Sequence, residues 1–229
     1  KNKFQFSAIA MNQVLQNPSG AHYDLLTVGI NSKKYLENIG FFGSAYYQTG
    51  KNTLAQSKNA YQFSANVDFL IHSKFNVILG TEWLSGRNFD TDSGENKSFS
   101  PMYGTNHLHN GFMDYFYFGN SHFNSFGLND YYLKSNLKFS PNSILQANLH
   151  AFTSNGKLGF DTSGEKIPSY LGTELDLVFT HKIGKSITAN LGHSFMFSGK
   201  SMEYLKNVPE PKNLQTWSWI AFRIAPNFK

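Results

Sequence analysis

The 229-residue chain carries 20 Lys+Arg against 15 Asp+Glu, a net charge of +5, and no cysteine. Without thiols it has no disulfide framework, no thiolate metal site and no cysteine catalysis. With Arg87 and Arg223 as its only arginines and lysines scattered through turns, the positive charge forms no nucleic-acid patch.

Mean hydropathy is -0.38, with 16% aromatic and only 15% charged residues. That mixture suits a sheet that meets lipid with alternate residues and keeps the others polar. No apolar run approaches the roughly 20 residues of a spanning helix, so any membrane role falls to strands. A cationic start followed by an apolar core and a cleavage site is absent. Lys1 leads at once into Phe4, Phe6, Ala8 and Ala10 alternating with Gln5 and Ser7, and a chain that opens inside a strand is expected to be the C-terminal portion of a longer one.

In chain order, period-two alternation predicts strands over 3–12, 23–31, 36–48, 61–71 and 75–84. A second group is predicted over 130–139, 143–153, 171–180, 186–197 and 216–228. Each is close to the roughly 9 to 11 residues that a tilted strand needs to cross a bilayer. Connections alternate between tight (31–36, 71–75, 139–143, 180–186) and long (13–22, 49–60, 87–129, 154–170, 199–215), as in outer-membrane barrels. Pro18, Pro101, Pro141, Pro168, Pro209 and Pro211 fall in connections and Pro226 near the last strand's end, as expected of a residue with no ladder donor. Segment 112–118 reads either as a further strand or as an aromatic cluster on a loop.

Parity assigns the faces. Tyr61, Phe63, Ala65, Val67, Phe69 and Ile71 oppose Gln62, Ser64, Asn66 and Asp68. Leu171, Leu175, Leu177 and Phe179 oppose Glu174 and Asp176, and Tyr131, Leu133, Leu137 and Phe139 oppose Tyr132, Lys134, Asn136 and Lys138. Leu145 and Leu149 oppose Gln146, Asn148 and His150, while His193 interrupts an otherwise apolar row. The inward set expected to line a lumen and meet a solute is Glu82, Lys134, Lys138, Gln146, Asn148, Glu174, Asp176, Trp217, Trp219 and Arg223. The indoles and the guanidinium suit stacking on, or hydrogen bonding to, a sugar. A soluble sandwich would show the same alternation with its apolar face turned inward.

The segments Gly80-Thr81-Glu82-Trp83-Leu84-Ser85-Gly86, Phe99-Ser100-Pro101-Met102-Tyr103-Gly104-Thr105-Asn106-His107 and Gly111-Phe112-Met113-Asp114-Tyr115-Phe116 resemble the alginate export family of outer-membrane β-barrels, in its Bacteroidetes form. The last strand, with Phe228 one residue from the end, resembles the C-terminal signal of outer-membrane proteins. The resemblance implies an all-β antiparallel transmembrane barrel in the bacterial outer membrane and a polysaccharide export role. About ten strands are expected here, as a single barrel domain over 1–229 or part of a larger one.

Catalytic signals are weak. Glu174 and Asp176 stand about 7 Å apart along a strand, but lumen acids balanced by Lys134, Lys138 and Arg223 are the commoner arrangement. His107, His109 and Asp114 lack a ligand scaffold. Asp90, Asp92 and Glu95 read better as turn formers than as a calcium loop. No nucleotide or nucleophile-elbow motif occurs, and no enzyme activity, cofactor or metal is expected. The leading reading is a channel passing a glycan or small solute among outer-membrane lipid, with no nucleic-acid partner. The alternative is a plugged adaptor barrel that docks a surface lipoprotein or secretion complex through loop residues Tyr103, Asn106, His107, Phe112, Asp114 and Tyr115.

Overall fold

The computed structural model describes residues 3–101, 109–116, 125–208 and 212–226. Its strands are β1 (Lys3–Gln16), β2 (His22–Leu36), β3 (Ile39–Lys51), β4 (Ser57–His72), β5 (Phe75–Leu84), β6 (Glu95–Asn96), β7 (Leu128–Ser140), β8 (Ser143–Thr153), β9 (Tyr170–Ile183), β10 (Ile187–Ser198) and β11 (Leu214–Ile224). One short helix, α1 (Ser201–Lys206), lies between β10 and β11. Ten long strands form an antiparallel meander in sequence order, and β6 pairs beside β4. Among the described residues no pairing joins β1 to β11, so the expected barrel is present as an all-β sheet open along one seam.

All ten predicted strands form; β1, β2, β4, β7 and β9 run longer than their apolar alternation, the connections expected over 13–22 and 49–60 shorten to 17–21 and 52–56, and β11 ends at Ile224, short of the expected 228. The first tight turn sits later than expected. Lys33, Lys34 and Tyr35 continue β2 against Phe42, Phe41 and Gly40, and the chain reverses at Glu37–Asn38. Lys33 and Lys34 interrupt the apolar alternation, yet β2 keeps its period and places the Lys33 ammonium over the Tyr35 and Phe42 rings, 4.8 and 4.9 Å from their centroids. At the same end Gly184 takes a φ of 78°, the left-handed conformation that the tight β9–β10 turn requires. Residues 112–116 form no strand; 117 and 118, like Phe228, lie outside the described residues.

The faces follow parity. Leu79, Leu133, Leu149, Leu175 and Phe195 are register partners across five strands and form an outward apolar row; Leu79 is 59% exposed and Leu133 and Leu149 are each 45% exposed. Glu174, Asp176, Asn148 and His150 are buried on the opposite face. That is the reverse of a soluble sandwich, which buries its leucines and wets its carboxylates. Outward Phe63, Trp83 and Tyr131 pack edge to face at 6.2 and 6.4 Å towards the long-connection end, where a membrane barrel carries aromatic rings. His193, the odd residue in the outward row, bonds through Nδ1 to Ser218 Oγ at 2.6 Å, its register partner on β11.

One facing is corrected. Leu171, expected outside, is 1% exposed and belongs to the core. The register shifts between Phe152 and Thr153, leaving Leu171 as an extra residue opposite them. Such a bulge turns one side chain to the other face. Leu171 there joins Ala60, Leu84, Phe99, Phe116, Phe126, Phe152, Leu158, Met196 and Met202. This apolar cluster closes the inner side at the long-connection end, with Phe99, Phe116 and Phe126 all supplied by the segment between β5 and β7.

Candidate functional site

The connection from β5 to β7 lies along the inner wall. Its first part is stitched to β3 and β4. Gln48 exchanges two bonds with the Ser100 backbone, donating at 2.9 Å and accepting at 3.0 Å. The buried Lys58 ammonium donates to Asn96 Oδ1 at 3.0 Å and to the Ser98 carbonyl. Further on, the Asn110 N–H donates to Asp130 Oδ2 at 2.9 Å, and the N–H groups of Phe112 and Met113 donate to Glu174 Oε1 at 2.7 and 2.9 Å. The Phe112 ring stacks on Trp219 at 6.0 Å, Tyr115 donates its hydroxyl to Gln215 Oε1, and Lys206 of α1 donates to the Tyr115 carbonyl. The loop therefore crosses the concave side from β3 to β11.

A glycine permits this seat. Gly111 has a φ of 75° and lies so close to the Glu174 carboxylate that an added Cβ would collide with it. Only a residue without a side chain fits both the left-handed conformation and the close approach.

Beneath the loop the wall carries a buried polar constellation. Asp130 on β7 accepts from His150 Nδ1 on β8 at 2.9 and 3.0 Å. On β9, Asp176 accepts from Ser194 Oγ at 2.5 Å, and its second oxygen lies 3.9 Å from His150 Nε2, too far for a hydrogen bond. Glu174, Asp176, Asp130 and His150 are all at most 1% exposed. A bulge between Lys138 and Ser140 sets this register and aligns Tyr132 with His150 and Lys134 with Asn148. Lys134 lies 4.6 Å over the Tyr132 ring. Among the described residues no group of acids and histidines forms a metal site.

The expected lumen residues divide. Glu82, Lys134, Asn148, Glu174 and Asp176 are buried on the inner wall and Gln146 is half-buried there. Trp217 and Trp219 share that face on β11, opposite Ser194 and Gly192. Lys138 and Arg223 are exposed near the tight-turn end and do not join the buried acids; the balancing cation is Lys134. Of the expected docking residues, Phe112 and Tyr115 are turned inward, against Trp219 and Gln215, and Asp114 holds a left-handed φ of 54° in the same seated segment. Tyr103, Asn106 and His107 lie outside the described residues.

Asp130 and Ser194 carry no signal of their own in the sequence, His150 reads there only as an inward residue, and His109 only as part of a weak metal-ligand pattern with His107 and Asp114. For the strand residues Asp130, His150 and Ser194 the inward parity is readable, whereas the bulge that sets their register is not, and His109 sits on a loop without a period. His109 Nε2 lies 3.8 Å from Glu82 Oε1, and burial first, then the Lys134 charge, lowers its pKa from 6.5 to about 4. At neutral pH it is an uncharged ring beside Tyr132, at 5.8 Å, rather than half of an ion pair. Because the folded pKa is depressed, the seated loop has its full stability above pH 6.5 and loses it as pH falls towards 4. Cleavage of this loop by an added protease is expected to rise roughly tenfold from pH 7 to pH 5, and His109→Gln is expected to flatten that dependence.

Beside the seated loop the wall from β1 to β7 borders an open cavity of about 910 Å³, whose lining includes Asn31, Ser44, Tyr46, Gln62, Glu82 and Lys134. Asn31 and the Tyr46 hydroxyl exchange bonds at 2.7 and 2.9 Å. Ser44 bonds Ser64 at 2.7 Å and Gln62 at 3.3 Å, and Gln62 donates to Glu82 at 3.2 Å. A ladder of hydroxyls and amides thus runs over three strands.

No protein-family model matches the chain, and no curated protein does. Among solved structures it is similar to the NanC porin in its rhombohedral crystal form, at 8% identity over 98% of each chain with a TM-score of 0.46. That likeness is too distant to add to the fold described above, and the alginate export resemblance rests on its sequence segments alone.

Proposed function

We propose that the sheet sits in the bacterial outer membrane as a non-catalytic, channel-like wall whose polar concave side passes a glycan or other small solute. The observation that carries this reading is the sidedness of the strands. An apolar row faces out while hydroxyls, amides and charges, set among apolar groups such as Ile9, Ile78 and Phe99, face a cavity of about 910 Å³. The wall is a polar path, and the seated loop narrows it. The alginate export resemblance supplies the glycan half of the proposal and an outward direction. Conductance of the full-length protein in a planar bilayer, after recovery from the outer-membrane fraction, is the test; a silent bilayer would remove the channel.

The lipid contact has its own test. Leu149→Arg places a charge mid-strand on the outward row and is expected to cost about 2–4 kcal/mol in a bilayer. Reversible urea unfolding in lipid vesicles reads this cost. A change under about 0.5 kcal/mol, usual for a water-exposed position, would contradict membrane burial.

The adaptor reading keeps one observation. Phe89 and Phe160 meet edge to face at 5.5 Å on the long-connection side and are 44% and 58% exposed. An exposed aromatic pair suits a partner protein such as a surface lipoprotein. Co-purification from detergent extracts that is lost on Phe89→Ser with Phe160→Ser would favour it.

A further inference from the structure

The inner wall repeats one local device. Gly29 on β2 is the register partner of Tyr46 on β3, Gly80 on β5 of Tyr132 on β7, and Gly192 on β10 of Trp219 on β11. In each pair the aromatic ring lies over the glycine, where an added Cβ would strike ring atoms. A ring laid against the sheet presents its outer face to the concave side. The missing side chain opposite is what lets it lie down.

Two of these platforms are covered by the seated loop, Trp219 by the Phe112 ring at 22° between planes and Tyr132 by the His109 ring. Among the described residues no ring covers Tyr46, which packs against the apolar cluster, is half-buried, lines the cavity, and has its hydroxyl fixed by Asn31. Around it stand groups that both donate and accept, Asn31, Ser44 and Gln62, the chemistry that matches sugar hydroxyls. Thr27 and Asn110, also on the lining and 7% and 5% exposed, each carry a buried side-chain oxygen without a hydrogen-bond partner.

Charge argues against an anionic occupant. The cavity lining holds Asp68 and Glu82 against Lys33 and Lys134, and the wall beyond adds Asp130, Glu174 and Asp176. Both lysines lie over aromatic rings. A surface with no surplus of positive charge does not concentrate a polyanion.

We propose that the cavity beside Tyr46 binds an uncharged, hydroxyl-rich saccharide in preference to a polyuronate, with the Tyr46 ring as its stacking platform. This rests on the polar-path reading above but is tested by binding, so that failure of conductance and failure of recognition are separate results. The detergent-solubilised full-length protein is titrated calorimetrically with cellohexaose and with a mannuronate hexamer. The neutral hexamer is expected to bind at least tenfold more tightly. Tyr46→Ala is expected to weaken it about tenfold, and Tyr46→Phe, which keeps the platform, by less than about threefold. Equal or tighter binding of the uronate, no binding of the neutral hexamer, or an unchanged affinity in Tyr46→Ala would overturn the proposal.

Discussion

Asp130→Ala is expected to be the most destabilising single side-chain truncation on the inner wall, lowering unfolding stability by about 3–5 kcal/mol. The carboxylate is fully buried and accepts from both His150 Nδ1 and the Asn110 N–H. Removing it strands two donors where water does not compensate them, and each unsatisfied buried group costs about 1–3 kcal/mol. It also frees the His150 ring, which stacks on Phe152 at 5.7 Å and so links the polar constellation to the apolar cluster. Asp68→Ala is the comparison. Asp68 accepts one bond, from Asn76 at 2.9 Å in a half-buried setting, and its loss is expected to cost about 1 kcal/mol. Urea unfolding followed by the shift between folded and unfolded bands in unheated gels measures both. Equal losses would show that the Asp130 constellation is no special anchor.

Gly111→Val is expected to unseat the inner loop while leaving the sheet intact. A β-branched residue is strained at a φ of 75°, by about 1–2 kcal/mol. Its Cβ would also displace the Glu174 side chain and with it two hydrogen bonds, each worth about 0.5–1.5 kcal/mol. Together these exceed what one stacked ring pair and Tyr115 return, so the segment around Phe112 leaves the wall. Conductance of the full-length protein is expected to rise about twofold or more, with faster proteolysis of the loop. Gly164→Val provides the control. Gly164 has a φ of 82° with nothing near an added Cβ, so it carries the backbone strain without the collision. If both variants behave alike, the Glu174 contact does not hold the loop.

The seated loop also changes the weight of the two functional readings. An adaptor was expected to display Phe112 and Tyr115 outward, yet both are engaged by β11 residues, Trp219 and Gln215. Partial desolvation pushes the Tyr115 hydroxyl pKa up and that of the largely exposed Lys206 ammonium down. The Phe89 and Phe160 pair remains outward at that end.

Sequence alone determined the ten long strands and, Leu171 apart, which residue of each zigzag faces which side, together with the order of shorter and longer connections, although those expected over 13–22 and 49–60 shrink to 17–21 and 52–56. These are local properties. A strand's period is two, a proline has no ladder donor, and a turn needs particular residues, so each is written within a few positions of where it acts. The tertiary structure decided the rest. Extra residues at Phe139 and Leu171 set which inward groups meet, and a bulge leaves no periodic mark beforehand. The loop between β5 and β7 has no period at all, so its course along the inner wall, against Glu174 and Trp219, follows from contacts to residues some 60 and 100 positions away. The same long-range geometry leaves β1 and β11 unjoined among the described residues, because closure depends on the curvature of the whole sheet and not on any strand within it.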